Sequence, residues 1–590
     1  MNPGGGHMLK ALTTGAALAA AFAGALMLGG AARLQTDTPE ALRAEAFEAA
    51  QWAIASDAAD ALAKVSARFA QGDDALGRLA EERETLIGRR DGLERELERL
   101  YAATDADVAA RRTAVRTDYE GVIQRLRTVD GDIETRFPAY AELTSPRALS
   151  VVETQALLKP DEALLLVLVN PDATYVWGVT RERVEWARAA DLDEAAITET
   201  VAALRASLTT AAASSRGDDG DWLDPALLTG RPTPAFDRAR AYRLYSELVK
   251  PVEGVFEGKT TLITVTTGAL TTLPLAVLTT TPPQGPDTGP EALDTTSWLI
   301  DRYALATLPS VSSLKALRCH LVADPARRSP GCPPLASGAS RRPAAAASRG
   351  FSLAAFGAPI LAGAPATGAS RGAPGADAVM GEGRLADVAR LKALPYLPGS
   401  KAELDTLKRR YPAALVRTGA QATETAVRGT DAAALSRARF VVFSTHGLMA
   451  GSTFAEPGLV LTPPEQATEA DDGYLTASEA AQLRLNAEFV VLSACNTAAS
   501  DGRPGGEGLS GLARAFFYAG ARSVLVSHWE VSDTATTALI SDTFSALDAP
   551  GADIGDRARA LQHGMKAVRA RREWRHPAFW APFTLVGEPG

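Results

Sequence analysis

Two rhythms of apolar and polar positions run along this chain, and the change from one to the other divides it. Between residues 38 and 136, Leu79, Leu86, Leu93 and Leu100 recur every seven residues, with Leu76 and Leu97 on the same stripe. A second stripe follows at Val115, Tyr119, Val122, Leu126, Val129 and Ile133. Such spacing predicts two long amphipathic helices folded back as a hairpin, with the turn near Thr104-Asp105. This region, residues 34–140, reads either as a docking arm for a protein partner or as a collar on the next domain. Tetratricopeptide self-similarity is absent except for a degenerate trace at 41–69.

Past Pro138 the period shortens. Apolar runs at 163–169 and 173–179 flank Asn170-Pro171-Asp172, a hairpin signal. Helical patterns follow at 194–208 and 239–248, then a short core strand at 261–265. Two Pro-, Gly-, Ala- and Ser-rich inserts, 279–296 and 325–348, read as mobile loops. From Phe351 onward, strand and helix patterns alternate at 353–361, 400–411, 440–444, 478–483, 489–493, 509–519, 523–526 and 534–547. This alternation predicts an α/β fold: a mostly parallel sheet with helices on both faces, filling residues 150–590.

Two of these strands carry the candidate chemistry. Phe489-Val-Val-Leu-Ser-Ala-Cys495 reads as a buried strand delivering a cysteine to the carboxyl edge of the sheet, where open α/β folds place their chemistry. Phe440-Val-Val-Phe-Ser-Thr-His446-Gly447 repeats the arrangement with a histidine. The two residues are 49 apart, close to the His-to-Cys spacing of caspase-type enzymes. Each has a plainer reading, as a small buried hydrophobe and a satisfied core histidine. Catalysis is favoured by Gly447, whose missing Cβ lets its N–H approach a substrate carbonyl, and by the small polar residues around Cys495.

Composition narrows the choices. The 590 residues exceed one ordinary core, and 46% hydrophobic with 22% charged residues describes a globular chain. A net charge of −9 argues against a general nucleic-acid binder. With three cysteines and six scattered histidines, neither a metal nor a cofactor is expected. Gly506-Glu-Gly-Leu-Ser-Gly511 matches a dinucleotide fingerprint, yet it follows its strand by roughly a dozen residues where that turn needs almost none.

The amino end bears on location. Lys10, the apolar run from Gly15 to Leu28 and the small residues Gly30-Ala31-Ala32 follow the order of a signal peptide, with Met8 as the apt start. The same run can serve as an uncleaved anchor, the one membrane contact expected. Residues 1–33 therefore predict a body outside the cytoplasm, with any cleavage near Arg33. In that setting Cys319 and Cys332 are close enough in sequence to bridge, leaving Cys495 free; the alternative is that both are reduced.

The blocks Phe443-Ser-Thr-His-Gly447, Leu492-Ser-Ala-Cys-Asn-Thr497, Gly506 to Phe516, Ala519 to Val524, Trp529-Glu-Val-Ser-Asp533 and His576 to Phe583 together resemble the CHAT domain. The resemblance implies a caspase-like three-layer α/β/α sandwich and a Cys495–His446 dyad acting on a protein substrate. It implies an oxyanion hole from the backbone N–H groups of Gly447 and Cys495. By the same likeness Ser493 lines the pocket for the residue preceding the cut, with Glu507, Glu530 and Asp533 as candidate acids for a basic side chain. For Asp533 an equally good reading is a cap for the helix expected from Thr534. Two function classes follow: a cysteine endopeptidase, or a non-catalytic envelope scaffold on the same fold.

Overall fold

The computed structural model of the chain describes residues 39–52, 108–136, 148–214, 235–288, 291–320, 352–365, 376–381, 385–449, 456–494, 497–498, 511–549 and 555–590, with isolated residues 82, 86, 89, 90, 93, 100, 329, 331 and 332. It divides into two units, Met1–Ala46 and Phe47–Gly590. The described residues of the first unit are 39–46, the amino part of helix α1 (Pro39–Trp52). Among the described residues no helix is long and apolar enough to cross a membrane.

Within the second unit, helix α2 (Val108–Arg136) buries Val115, Val122, Leu126 and Val129, members of the predicted stripe. Arg125 of α2 pairs at 2.6 Å with Glu82, a helical residue 43 positions earlier. The expected turn at Thr104-Asp105 lies outside the described residues. Gln51 clamps the next segment, donating to the Leu149 carbonyl (2.8 Å) and accepting from its N–H (2.9 Å).

Eleven strands form one sheet. In chain order these are β1 (Glu162–Val169), β2 (Thr174–Val179), β3 (Val184–Ala189), β4 (Thr261–Thr266), β5 (Ala304–Thr307), β6 (Leu353–Gly357), β9 (Leu415–Thr418), β10 (Phe440–Ser444), β14 (Phe489–Ser493), β15 (Ser523–Ser527) and β16 (Phe583–Gly587). Small sheets take β7 (Gly363–Pro365) with β8 (Pro395–Tyr396), and β11 (Gly447–Leu448) with β12 (Gly458–Val460) and β13 (Tyr474–Thr476). The order across the large sheet is β3-β2-β1-β4-β5-β16-β15-β14-β10-β6-β9. Pairing is mostly parallel and turns antiparallel at β1–β2, β2–β3 and β15–β16. The predicted hairpin is present, with Val169 opposite Thr174.

Both faces of the sheet are covered, as near-continuous apolar strands require. Phe440, Val442, Phe489 and Val491 enter one core cluster, and their neighbours Val441, Phe443, Val490 and Leu492 are equally buried on the opposite face. Helix α3 (Pro398–Arg410), helix α4 (Asp533–Leu547) and helix α5 (Arg557–Arg569) supply the first layer, where Phe544 of α4 meets Phe440 edge-on at 6.1 Å. A further helix, Gly511–Ala519, covers the second face, bringing Phe516 to 5.3 Å from Phe443. The chain is thus a three-layer α/β/α protein.

The insert at 279–296 departs from the expected mobile loop. Arg238, 2% exposed, donates to the Asp287 carboxylate (2.5 Å) and to the carbonyls of Gln284, Gly285, Pro286 and Ala292. A buried guanidinium with five donors organises the loop around itself, a role for which composition gives no sign. Most of the second insert, 325–348, lies outside the described residues. Its Cys332 is bridged to Cys319, with Cα atoms 5.2 Å apart.

Candidate active site

The candidate site lies where β10 and β14 end. Every residue of both strands is buried, and Ser444 stands opposite Ser493 in parallel register. His446 and Cys495 each follow that pair by two residues. His446 has no accessible surface, and its Nε2 lies 2.8 Å from the Pro395 carbonyl oxygen on β8. A carbonyl can only accept, so Nε2 carries a proton.

Gly447 opens the small sheet. The Val460 N–H donates to the His446 carbonyl at 3.0 Å, beside the antiparallel pair Gly447–Leu459. Bonds that flank a pair mark it as the non-hydrogen-bonded kind, so the Gly447 N–H points away from β12.

Cys495 itself lies outside the described residues, as does Glu507. The chain on either side of Cys495 is held by one residue of β15. Ser527 Oγ donates to the Ala494 carbonyl (2.6 Å), and the Ser527 N–H donates to Thr497 Oγ1 (2.8 Å). The Ala498 N–H then donates to the Ser527 carbonyl (2.8 Å).

The remaining predicted residues separate. Ser493 is buried and donates from Oγ to Oε2 of Glu403 on α3, at 3.0 Å. Asp533 is the first residue of α4 and 2% exposed, and its carboxylate accepts the Gly399 N–H. The cap of that helix is Ser532, whose Oγ accepts from the Ala535 N–H, so the capping role expected for Asp533 falls to its neighbour. A Cβ at Gly399 would overlap the Asp533 carboxylate, and Thr537 Oγ1 donates to the Gly399 carbonyl at 3.1 Å. Both polar groups of that glycine are therefore held by α4. Glu530 is half-buried on the adjoining loop.

The rest of that loop is framework. His528 is buried with Nε2 3.0 Å from Thr584 Oγ1, and Trp529 Nε1 donates to the Ala578 carbonyl at 3.0 Å. Burial, helped by the nearby Arg205 cation, pushes the His528 imidazole down to about 3. His576 sits equally deep, pushed to about 3 by burial, and its Nδ1 accepts from the Ala578 N–H. Arg205 also donates to the carbonyls of Thr272 and His528, so the loops following β4 and β15 open on one edge.

Sequence reasoning missed Pro395, Gly399 and Glu403. The first two act through backbone atoms and leave no side-chain signature. Glu403 did leave one: Ser400, Glu403, Leu404 and Leu407 are the inward stripe of α3, and a carboxylate on such a stripe is anomalous.

A family model for the CHAT domain matches residues 238–588, more than half of the chain. The chain belongs to the CHAT family. The CHAT match contains β10, β14 and every residue of the site. Tetratricopeptide repeat protein 28 of Mus musculus is 40% identical over 114 residues, and its Homo sapiens counterpart 34% over 113. Each alignment takes in 19% of this CHAT protein but 4% of the relative's length. Two crystal structures of the Saccharomyces cerevisiae separase–securin complex align over 85% of the chain with TM-scores of 0.38. Those alignments are 10% and 9% identical and cover 38% and 37% of the solved chains.

Proposed function

We propose that this CHAT protein is a cysteine endopeptidase of caspase-like type, with Cys495 as nucleophile and His446 as its base and acid. The observation that carries the reading is the setting of His446: enclosed, two residues past the end of β10, with Nε2 2.8 Å from the Pro395 carbonyl oxygen, in the same register past its strand as Cys495 is past β14.

The reaction runs as acyl transfer. The Cys495 thiol gives its proton to Nδ1 of His446, and the thiolate attacks the peptide carbonyl carbon. The N–H groups of Gly447 and Cys495 hold the resulting oxyanion; losing one such donor lowers the rate on the order of 10²–10³-fold. As the tetrahedral species collapses, the C–N bond breaks and the amine takes the proton from His446. Water then loses a proton to His446 as it attacks the thioester, releasing the acid and restoring the thiol. No step needs a metal or cofactor.

Cleavage after Arg or Lys is the preference that an acidic side chain beside the residue preceding the cut imposes. The Cys319–Cys332 bridge supports a location outside the cytoplasm, by export or by membrane anchoring through the amino-terminal segment. The helical region before the sheet is the surface offered to a protein partner.

A peptide probe carrying a thiol-reactive group tests the reading. The wild-type chain should be labelled at Cys495, and His446→Ala should slow labelling sharply while circular dichroism is unchanged. Equal labelling with and without His446 would instead favour a non-catalytic scaffold.

A further inference from the structure

The inward stripe of α3 changes character along its length. Leu404 and Leu407 join the apolar core, whereas Ser400 and Glu403, nearer the helix's amino end, are polar and equally without accessible surface. Glu403 meets the end of β14 through its bond to Ser493. Ser444, opposite Ser493 at the end of β10, is also fully buried. The hydroxyls of Ser444 and Ser400 have no hydrogen-bond partner among the described residues.

Hydroxyls enclosed in this way, as those of Ser400 and Ser444 are, are costly unless something satisfies them, and Ala would fill the same space without that penalty. Hydroxyls that wait for a donor, beside a carboxylate, make a receptor for a cation with several N–H groups. An arginine side chain has five such donors in a planar fork. The place in the sequence also fits: Ser493 precedes Cys495 by two residues, a separation that an arginine side chain can bridge.

We propose that Glu403 is the specificity residue of this site, binding the guanidinium or ammonium group of the substrate residue before the cut. The assignment rests on the peptidase reading above and replaces the acids to which the sequence pointed. Asp533 is engaged by the Gly399 N–H, in a contact so close that no Cβ fits, and Glu530 lies on the adjoining loop.

Fluorogenic peptides differing only in the residue before the cut test the proposal on the full chain: Arg, citrulline, Leu and Asp. Citrulline keeps the shape of arginine and removes its charge, so one arm needs no mutation. Wild type should cleave the Arg peptide best, with kcat/KM for citrulline lower on the order of 10²-fold. Glu403→Gln should lose a similar factor on Arg and nothing further on citrulline, as partners in one contact do. An unchanged Arg-to-citrulline ratio in Glu403→Gln, with all peptides slowed alike, would make Glu403 a positioning residue and overturn the assignment. Wild-type preference for Leu or Asp would overturn it while leaving the peptidase reading intact. Wild type as inert as Cys495→Ala on every peptide would sink both.

Discussion

At the amino edge of the large sheet, Arg318 is held between Glu162 (2.7 Å) and Glu588 (3.0 Å), and Arg439 meets Glu488 at 2.6 Å. At the carboxyl edge, buried carboxylates accept from neutral donors: Glu403 from the Ser493 hydroxyl and Asp533 from the Gly399 N–H. The first arrangement closes on itself. Its charges bind strand ends to one another, and the two carboxylates around Arg318 push its guanidinium still further up despite complete burial. The second arrangement sets carboxylates and hydroxyls at the edge that carries His446. One sheet therefore uses internal ion pairs for stability at one edge and sets uncharged donors against carboxylates at the other.

Mutations should separate the edges. Arg318→Ala leaves Glu162 buried without its cation and Glu588 with only the longer contact to Lys159 (3.8 Å), and breaking such a group costs about 3–5 kcal/mol. Urea unfolding should show that loss, while turnover per folded molecule stays as in wild type; a fall in turnover at constant stability would mean that the edges are coupled. Removing the Cys319–Cys332 bridge, whose closed loop is short, should lower stability by about 2–3 kcal/mol, again without touching turnover.

Acidification probes the loop behind the site. His528 and His576 titrate near 3 when folded and near 6.5 in a free chain, so the unfolded state binds more protons between those values. Their contribution is complete above pH 6.5 and is lost as pH falls toward 3, with a slope of about 1.4 kcal/mol per pH unit for each histidine. Glu424, pushed up to about 7 by burial, acts with the opposite sign: its contribution is complete below the ordinary carboxylate range and is lost as pH rises through 7. Melting temperatures followed from pH 7 to 4 in wild type and His576→Gln should diverge at neutral pH and converge in acid; parallel curves would contradict the assignment for His576. The smallest expected effect is at Thr537, where Val removes the bond to the Gly399 carbonyl and should cost about 1 kcal/mol.

Much of the frame is legible in the sequence because burial on both faces leaves unbroken apolar runs. Phe440–Ser444 and Phe489–Ser493 are strands at the bounds that their composition predicts. Short strands are harder. β5 (Ala-Leu-Ala-Thr) and β9 (Leu-Val-Arg-Thr) have four residues each, too few to show a period, and both escape. β16 sits near the middle of the sheet, yet its five residues follow Trp580-Ala-Pro582 and read as the tail of a motif. At the candidate site the placement of His446 and Gly447 just past β10 is legible in the sequence. What escapes there is supplied by backbone atoms, such as the Pro395 carbonyl, or by distant elements, such as Glu403 lying 90 residues before Ser493. Asp533 and Ser532 suit a helix cap equally well by type, and the structure decides because the Asp533 carboxylate is taken by Gly399.

The central claim is that the carboxyl edge cuts peptide bonds through Cys495. Its most direct test is cleavage of a peptide library by the purified wild-type chain beside Cys495→Ala, with products read by mass spectrometry. Wild type should yield new amino termini that are absent with Cys495→Ala, both proteins melting at similar temperatures. The same products from a well-folded Cys495→Ala chain, or none from wild type, would contradict it.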